Sequence, residues 1–122
     1  MGAAYFTLGK LEEGLQKHEE AYQMCENIDI KEVQNSCLET CFDNLGNVHY
    51  ALGNLEKGIE YYEKALQLKK ERYGEGAHPR LAASFNNMGI IYQAFGALEK
   101  GIEYHEKALQ LRREFYLSLI HI

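Results

Sequence analysis

The chain has 122 residues, enough for one small domain, and its formal net charge is −5 at pH 7. Acidic and basic residues are interleaved, which disfavours a nucleic-acid-binding face, because such a face clusters lysine and arginine against phosphates. The same charge balance disfavours adhesion to an anionic membrane, and no apolar run is long enough to span a bilayer. We therefore expect a protein that binds neither nucleic acid nor membrane.

Near-copies of one segment divide the chain into units. Residues 44–74 and 87–116 are almost the same at an offset of 43 positions, and a fainter copy at an offset of 44 begins at Gly2. A period in the forties is typical of a helical repeat array. We divide the chain into a partial repeat 1–28, a repeat 29–78, a repeat 79–116 and an aberrant tail 117–122.

Each unit shows the apolar spacing of helices, and no strand-like alternation competes with it. From Leu55 onward, apolar residues follow one broad helix face, while charged residues, Lys69 among them, lie on the other and are expected in solvent. Small glycines on the inner faces, such as Gly46, should let antiparallel helices approach, with the ring of Tyr62 or His105 packed between them. The sequence predicts helices near residues 1–8, 11–26, 30–52, 55–73, 79–95 and 98–116.

Helix ends are marked along the chain by capping residues. Asp29 and Glu32 have the spacing of a capping box at the start of one helix. Gly53 and Gly96 are placed to end helices in the left-handed conformation. The segment 74–76 breaks the next helix, and Pro79 suits the first turn of the one after it.

The three cysteines, Cys25, Cys37 and Cys41, are an odd number, and no secretory signal precedes them. Reduced thiols in an intracellular compartment are the simplest expectation, and we predict a cytoplasmic protein. Cys37 and Cys41 share a helix face, but a structural zinc site needs four ligands and no second pair is present. We therefore predict buried thiols and no metal.

The unit resembles the tetratricopeptide repeat, whose signature is an aromatic residue, then Leu-Gly, then tyrosine, in fixed spacing. FDNLGNVH (residues 42–49) and FNNMGIIY (residues 85–92) follow that spacing, although the family's closing proline is absent. The long second helix, followed by glycine and His-Pro, is similar to the variety found in kinesin light chains. GIEYHEKAL (residues 101–109) also resembles the spindle-orientation adaptors of the Pins class.

This resemblance implies an all-α, right-handed superhelix of antiparallel helix pairs that acts as a protein–protein interaction scaffold. It implies a concave groove for a peptide or a partner helix, and no cofactor. An alternative is that Asn44 and Asn87 only tie neighbouring helices together. The groove residues implied by the resemblance are Asp43, Asn44, Asn47, Tyr50, Asn86, Asn87, Ile90 and Gln93.

Departures from the family pattern narrow the range of ligands that we expect. Thr40, Asp43, Ala83 and Asn86 stand where chaperone-tail binders carry a basic and amide clamp, and Asp43 would oppose an acidic peptide. No histidine is placed with a serine, cysteine or carboxylate as in a catalytic triad, and the glycines follow the repeat rather than a phosphate-binding loop. We therefore predict that the chain is not an enzyme.

Two alternatives to a binding scaffold stay open: a regulatory segment of a larger enzyme or NACHT-type ATPase, and a purely structural spacer. The incomplete first unit and the absence of a polar capping helix predict a fragment of a longer adaptor, with uncapped ends that can self-associate. LSLIHI (residues 117–122) departs from the repeat. It is interpreted either as a sequence artefact or as a divergent apolar cap.

Overall fold

The computed structural model describes the backbone of residues 2–74 and 76–120, and side chains from Thr7 onward. The predicted all-α fold is confirmed: the described residues form helices and no strand. Met1, Glu75 and the last two residues of the tail lie outside the described residues. The helices are α1 (Gly2–Glu26), α2 (Lys31–Leu52), α3 (Leu55–Tyr73), α4 (Pro79–Phe95) and α5 (Leu98–Ile120).

Consecutive helices pack against one another along the chain. Residues 53–54 join α2 to α3, and residues 96–97 join α4 to α5, so each pair is an antiparallel hairpin. Gly53 and Gly96 have φ values of 83° and 96°, which confirms that both end helices in the left-handed conformation. None of the helices among the described residues has the length and apolar character needed to cross a bilayer.

Two predicted helix boundaries are wrong. A turn was expected between residues 8 and 11, but α1 continues through Gly9, which keeps a helical φ. Continuation of the helix through Gly9 satisfies the backbone hydrogen bonds on both sides of it internally. α5 runs to Ile120, beyond the predicted end at residue 116, because Leu117 stands where Gly74 ends α3.

The start of α2 also differs from the prediction. Ile30 is the N-cap residue, and no side chain caps the helix, so the capping box of Asp29 and Glu32 does not form. Gln34 instead donates from Nε2 to the Glu26 carbonyl at 3.0 Å and so bridges the end of α1 to the first turn of α2. The start of α4 follows the prediction: Pro79 is in its first turn, and His78 Nδ1 accepts from Arg80 N at 3.1 Å.

Glycines allow a ring to lie against the backbone inside each hairpin, as predicted. A Cβ atom added at Gly46 would be 2.5 Å from Tyr62 Cδ1, and one added at Gly89 would be 2.8 Å from the His105 ring. Tyr62 belongs to a buried cluster with Met88, Ile91 and Tyr92. A second buried cluster contains Leu66, Leu81, Phe85 and Ala108. Both clusters span the junction of the two hairpins.

Candidate functional site

Six of the predicted groove residues form two equivalent strips, one on α2 and one on α4. The members of each strip are three residues apart, so they share one side of their helix. Tyr50 and Ile90 are each 39% exposed, whereas Asn44 and Asn87 are half-buried at the base of their strips. We call these residues the α2–α4 strips: Asn44, Asn47 and Tyr50 on α2, and Asn87, Ile90 and Gln93 on α4.

Asn44 and Asn87 make no side-chain hydrogen bond within the described part of the chain. Other residues of the predicted groove provide the ties between helices. Asn47 accepts a hydrogen bond from the Tyr62 hydroxyl, and Asn86 Oδ1 lies 3.1 Å from His105 Nδ1. No tie between helices through Asn44 or Asn87 is seen among the described residues, so their amides keep their hydrogen-bonding capacity there.

Asp43 is a partner of a buried lysine. Lys69 Nζ lies 2.5 Å from Asp43 Oδ2 and 2.6 Å from Ser84 Oγ, and Lys69 is only 5% exposed. The expectation that Lys69 lies in solvent is wrong, because α4 covers this side of α3. Since Lys69 neutralises it, the Asp43 carboxylate does not present a free negative charge to a ligand.

Glu39 is a second buried charge at the same junction. It is 2% exposed, and its two carboxylate oxygens lie 3.6 Å from Arg72 Nη1 and 3.6 Å from Arg80 Nη1. Arg72 is in the last turn of α3 and Arg80 is in the first turn of α4, so one carboxylate of α2 contacts the two helices that flank the connection between repeats. These pairs connect α2 to the end of α3 and to the start of α4.

His49 lies in the core at the end of α2. Its ring stacks on Tyr61 with centroids 5.4 Å apart, and its Nδ1 lies 3.5 Å from Asn54 Nδ2. Nε2 is buried and has no hydrogen-bond partner among the described residues. Burial, helped by Lys57, lowers the pKa of His49 below its ordinary value, so the ring is neutral at neutral pH.

The expectation of three reduced thiols is wrong. Cys25 of α1 and Cys37 of α2 form a disulfide, and Cys41 is a buried free thiol. Sequence spacing missed this because the pairing depends on the α1–α2 connection bringing Cys25 beside the start of α2. With two sulfurs bonded to each other, only Cys41 has a sulfur available as a metal ligand.

A hollow of about 260 Å³ among α3, α4 and α5 was not predicted. Lys70 Nζ and Lys107 Nζ lie 5.8 and 5.2 Å from the centroid of the Phe85 ring, which forms part of its wall. These two lysines occupy different positions of the repeat, so repeat spacing alone does not place them together. Their charges converge on one aromatic residue in a partly apolar setting.

Antiparallel helix hairpins stacked one on the next, with a glycine facing a ring in each, define a helical repeat protein. A tetratricopeptide repeat profile matches residues 37–114, which is more than half of the chain. The chain belongs to the tetratricopeptide repeat family. A search of curated proteins found no match. Members of this family generally mediate protein–protein interactions and are typically non-catalytic.

Proposed function

We propose that this chain is a non-catalytic interaction scaffold whose α2–α4 strips bind a peptide or a partner helix. The observation that carries the proposal is the pair of repeat-equivalent amides, Asn44 and Asn87, which have no hydrogen-bond partner within the described residues. Each amide offers donors and an acceptor to a peptide backbone, whatever the side chains of the peptide. Tyr50 and Ile90 lie beside them as partly exposed anchors.

The chemistry of the strips favours an uncharged ligand segment. The α2–α4 strips contain no lysine or arginine, and the nearby Asp43 carboxylate is neutralised by Lys69. A ligand with apolar or aromatic side chains would bury them against Tyr50 and Ile90, since aromatic anchors often dominate binding energy. We therefore propose recognition through backbone hydrogen bonds and apolar contacts rather than through charge.

The setting we propose is that of a cytoplasmic adaptor of the kinesin-light-chain or Pins type. Support comes from the second helices α3 and α5, which continue to Tyr73 and Ile120, beyond Lys70 and Arg113 at the position of the family's closing proline. The glycine and His-Pro that follow α3 support it as well. The segment 101–109 supports the Pins-class comparison.

The test is a selection of displayed random peptides on the full chain, followed by affinity measurement with the selected peptide. Tyr50→Ala and Asn87→Ala are expected to weaken binding about tenfold or more each, because anchor residues often contribute roughly 2 kcal/mol. Glu60→Ala, on the exposed face of α3, is the control and should leave the affinity unchanged. Unchanged binding after both strip substitutions would favour the spacer alternative.

We also propose that α5 mediates self-association. Leu66 is 7% exposed beneath α4, whereas its repeat equivalent Leu109 is 51% exposed on α5. Ile102 and Tyr116 are likewise 55% and 66% exposed on that helix. A second copy can cover this apolar surface. Sedimentation equilibrium should show dimers that Leu109→Lys disrupts, and a monomer at all accessible concentrations would contradict this proposal.

A further inference from the structure

Three sulfur atoms converge between α1 and α2. The Cys25–Cys37 disulfide has a Cα–Cα distance of 5.7 Å, and the Cys41 Sγ lies 3.4 Å from the Cys25 Sγ. All three Sγ atoms lie within 4.8 Å of one another. Cys37 and Cys41 are one helical turn apart on the same side of α2, so both face Cys25. We call these three residues the cysteine cluster.

The cysteine cluster has two possible bonding states that keep α1 joined to α2. Thiol–disulfide exchange begins with attack of a thiolate on a disulfide sulfur. When the Cys41 thiolate attacks Cys25 Sγ, a Cys25–Cys41 bond forms, the Cys25–Cys37 bond breaks, and its electron pair leaves on Cys37. The proton lost by Cys41 is returned to Cys37. One disulfide and one thiol are present before and after, so the exchange needs no oxidant or reductant.

The two states differ in the accessibility of the free thiol. Cys25 is fully buried and Cys41 is 6% exposed, whereas Cys37 is half-buried and lines an open hollow at the start of α2. Burial shields the Cys41 thiol from external reagents. It also raises the pKa of that thiol, so little thiolate is present at neutral pH and the internal exchange becomes faster as the pH rises. Arg72 and Glu32 line the same hollow as Cys37.

We propose that the cysteine cluster is a thiol–disulfide exchange centre that transfers its free thiol from Cys41 to Cys37, where a low-molecular-weight disulfide captures it. In the capture step the Cys37 thiolate attacks one sulfur of the small disulfide. A mixed disulfide forms on Cys37, and the other half of the reagent leaves as a thiolate. The α1–α2 bridge is retained as Cys25–Cys41, so Cys37 becomes a modification site beside Arg72 without loss of the fold.

The experiment incubates the full, unreduced chain with oxidised glutathione, quenches in acid, and maps the cysteines by mass spectrometry. Cleavage after Glu26 and Glu39 by a glutamate-specific protease separates all three cysteines. The expected product carries glutathione on Cys37 and a Cys25–Cys41 bridge. Glutathione on Cys41, or no adduct on the native chain, would overturn the proposal.

Two serine variants separate the exchange from direct modification. Cys41→Ser keeps the Cys25–Cys37 bridge but has no internal nucleophile, so it should lose the adduct completely. Cys37→Ser should form the Cys25–Cys41 bridge under the same conditions and should also carry no adduct. Both variants are expected to retain an α1–α2 bridge under these conditions, which makes them suitable for comparison. An adduct on Cys37 in the Cys41→Ser variant would show that Cys41 is not the attacking group.

Discussion

Lys69 Nζ lies 2.5 Å from Asp43 Oδ2, although 26 positions separate the two residues in the chain. The same ammonium donates to Ser84 Oγ, so one buried lysine of α3 joins α2 and α4. A buried ion pair is weak evidence of net stabilisation, because both charges lose their hydration. Removing one member, however, leaves the other buried without compensation. We therefore predict that replacing one member of the Lys69–Asp43 pair lowers the free energy of unfolding much more than replacing both members.

Lys69→Met should lower the free energy of unfolding by about 3–5 kcal/mol, because Asp43 is left unpaired. Lys64→Met removes an exposed partner of Glu60 at 3.9 Å and should cost less than about 1 kcal/mol. Urea denaturation of both variants provides the measurement. The double variant Lys69→Met, Asp43→Leu should recover part of the loss. Equal, small effects of both lysine substitutions would contradict a buried pair.

Glu39→Gln should weaken the junction between α3 and α4. The substitution removes the charge that faces Arg72 and Arg80, and it leaves a neutral amide in a site that is almost fully buried. The expected loss is at most about 3 kcal/mol, because the two ion pairs of a buried carboxylate are lost while both arginines are partly exposed. Thermal unfolding of the variant and the parent chain measures this loss of stability. Glu32→Gln, in the exposed first turn of α2, is the control and should be nearly neutral.

Alanine at two glycines of the chain should have opposite effects. Gly46→Ala places a Cβ 2.5 Å from the Tyr62 ring and should cost about 1–3 kcal/mol through overpacking. Gly14 lies inside α1 with no atom within 4 Å of an added Cβ. Gly14→Ala should therefore stabilise the chain by about 0.5–1 kcal/mol through helix propensity. Chemical denaturation of the two variants measures both changes in the free energy of unfolding. Stabilisation by Gly46→Ala would contradict the close approach of Gly46 to the Tyr62 ring.

The buried ring of His49 predicts a loss of stability in mild acid. Above pH 6.5, the ordinary pKa of histidine, the ring is neutral in both folded and unfolded chains. Below pH 6.5 the unfolded chain takes up the proton first, because burial lowers the pKa of His49 in the fold. The free energy of unfolding then falls by at most about 1.4 kcal/mol per pH unit from this group. His49→Phe should flatten the stability profile between pH 7 and mild acid, and an unchanged profile would exclude His49 as its source.

Helix boundaries that depend on local chemistry were predictable from the sequence. Gly53 and Gly96 end their helices because glycine takes a positive φ without steric cost, and Pro79 begins α4 because it needs no amide donor there. The approach of Gly46 to Tyr62 was also predictable, since both residues recur with the repeat period. These features follow from short-range rules that a single unit already obeys.

Features that depend on contact between units were not predictable in the same way. Lys69 shows helical spacing that is typical of a solvated face, but α4 covers it. The Cys25–Cys37 bridge and the convergence of Lys70 and Lys107 on Phe85 likewise join residues of different helices. Gly9 has the repeat position of a turn, yet α1 continues through it.

The order of the helices along the stack determines which helix unfolds locally first. α4 lies between α3 and α5 and contains eight buried residues, whereas α5 contains only Gly101 and Ala108 in that class. Each helix is held chiefly by its neighbours in sequence, so opening can spread inward from an end without disrupting the middle. Amide protons of α5 should therefore exchange with deuterium long before those of α4. The chain behaves as a short one-dimensional lattice whose most durable segment is α4, the helix with the most buried residues.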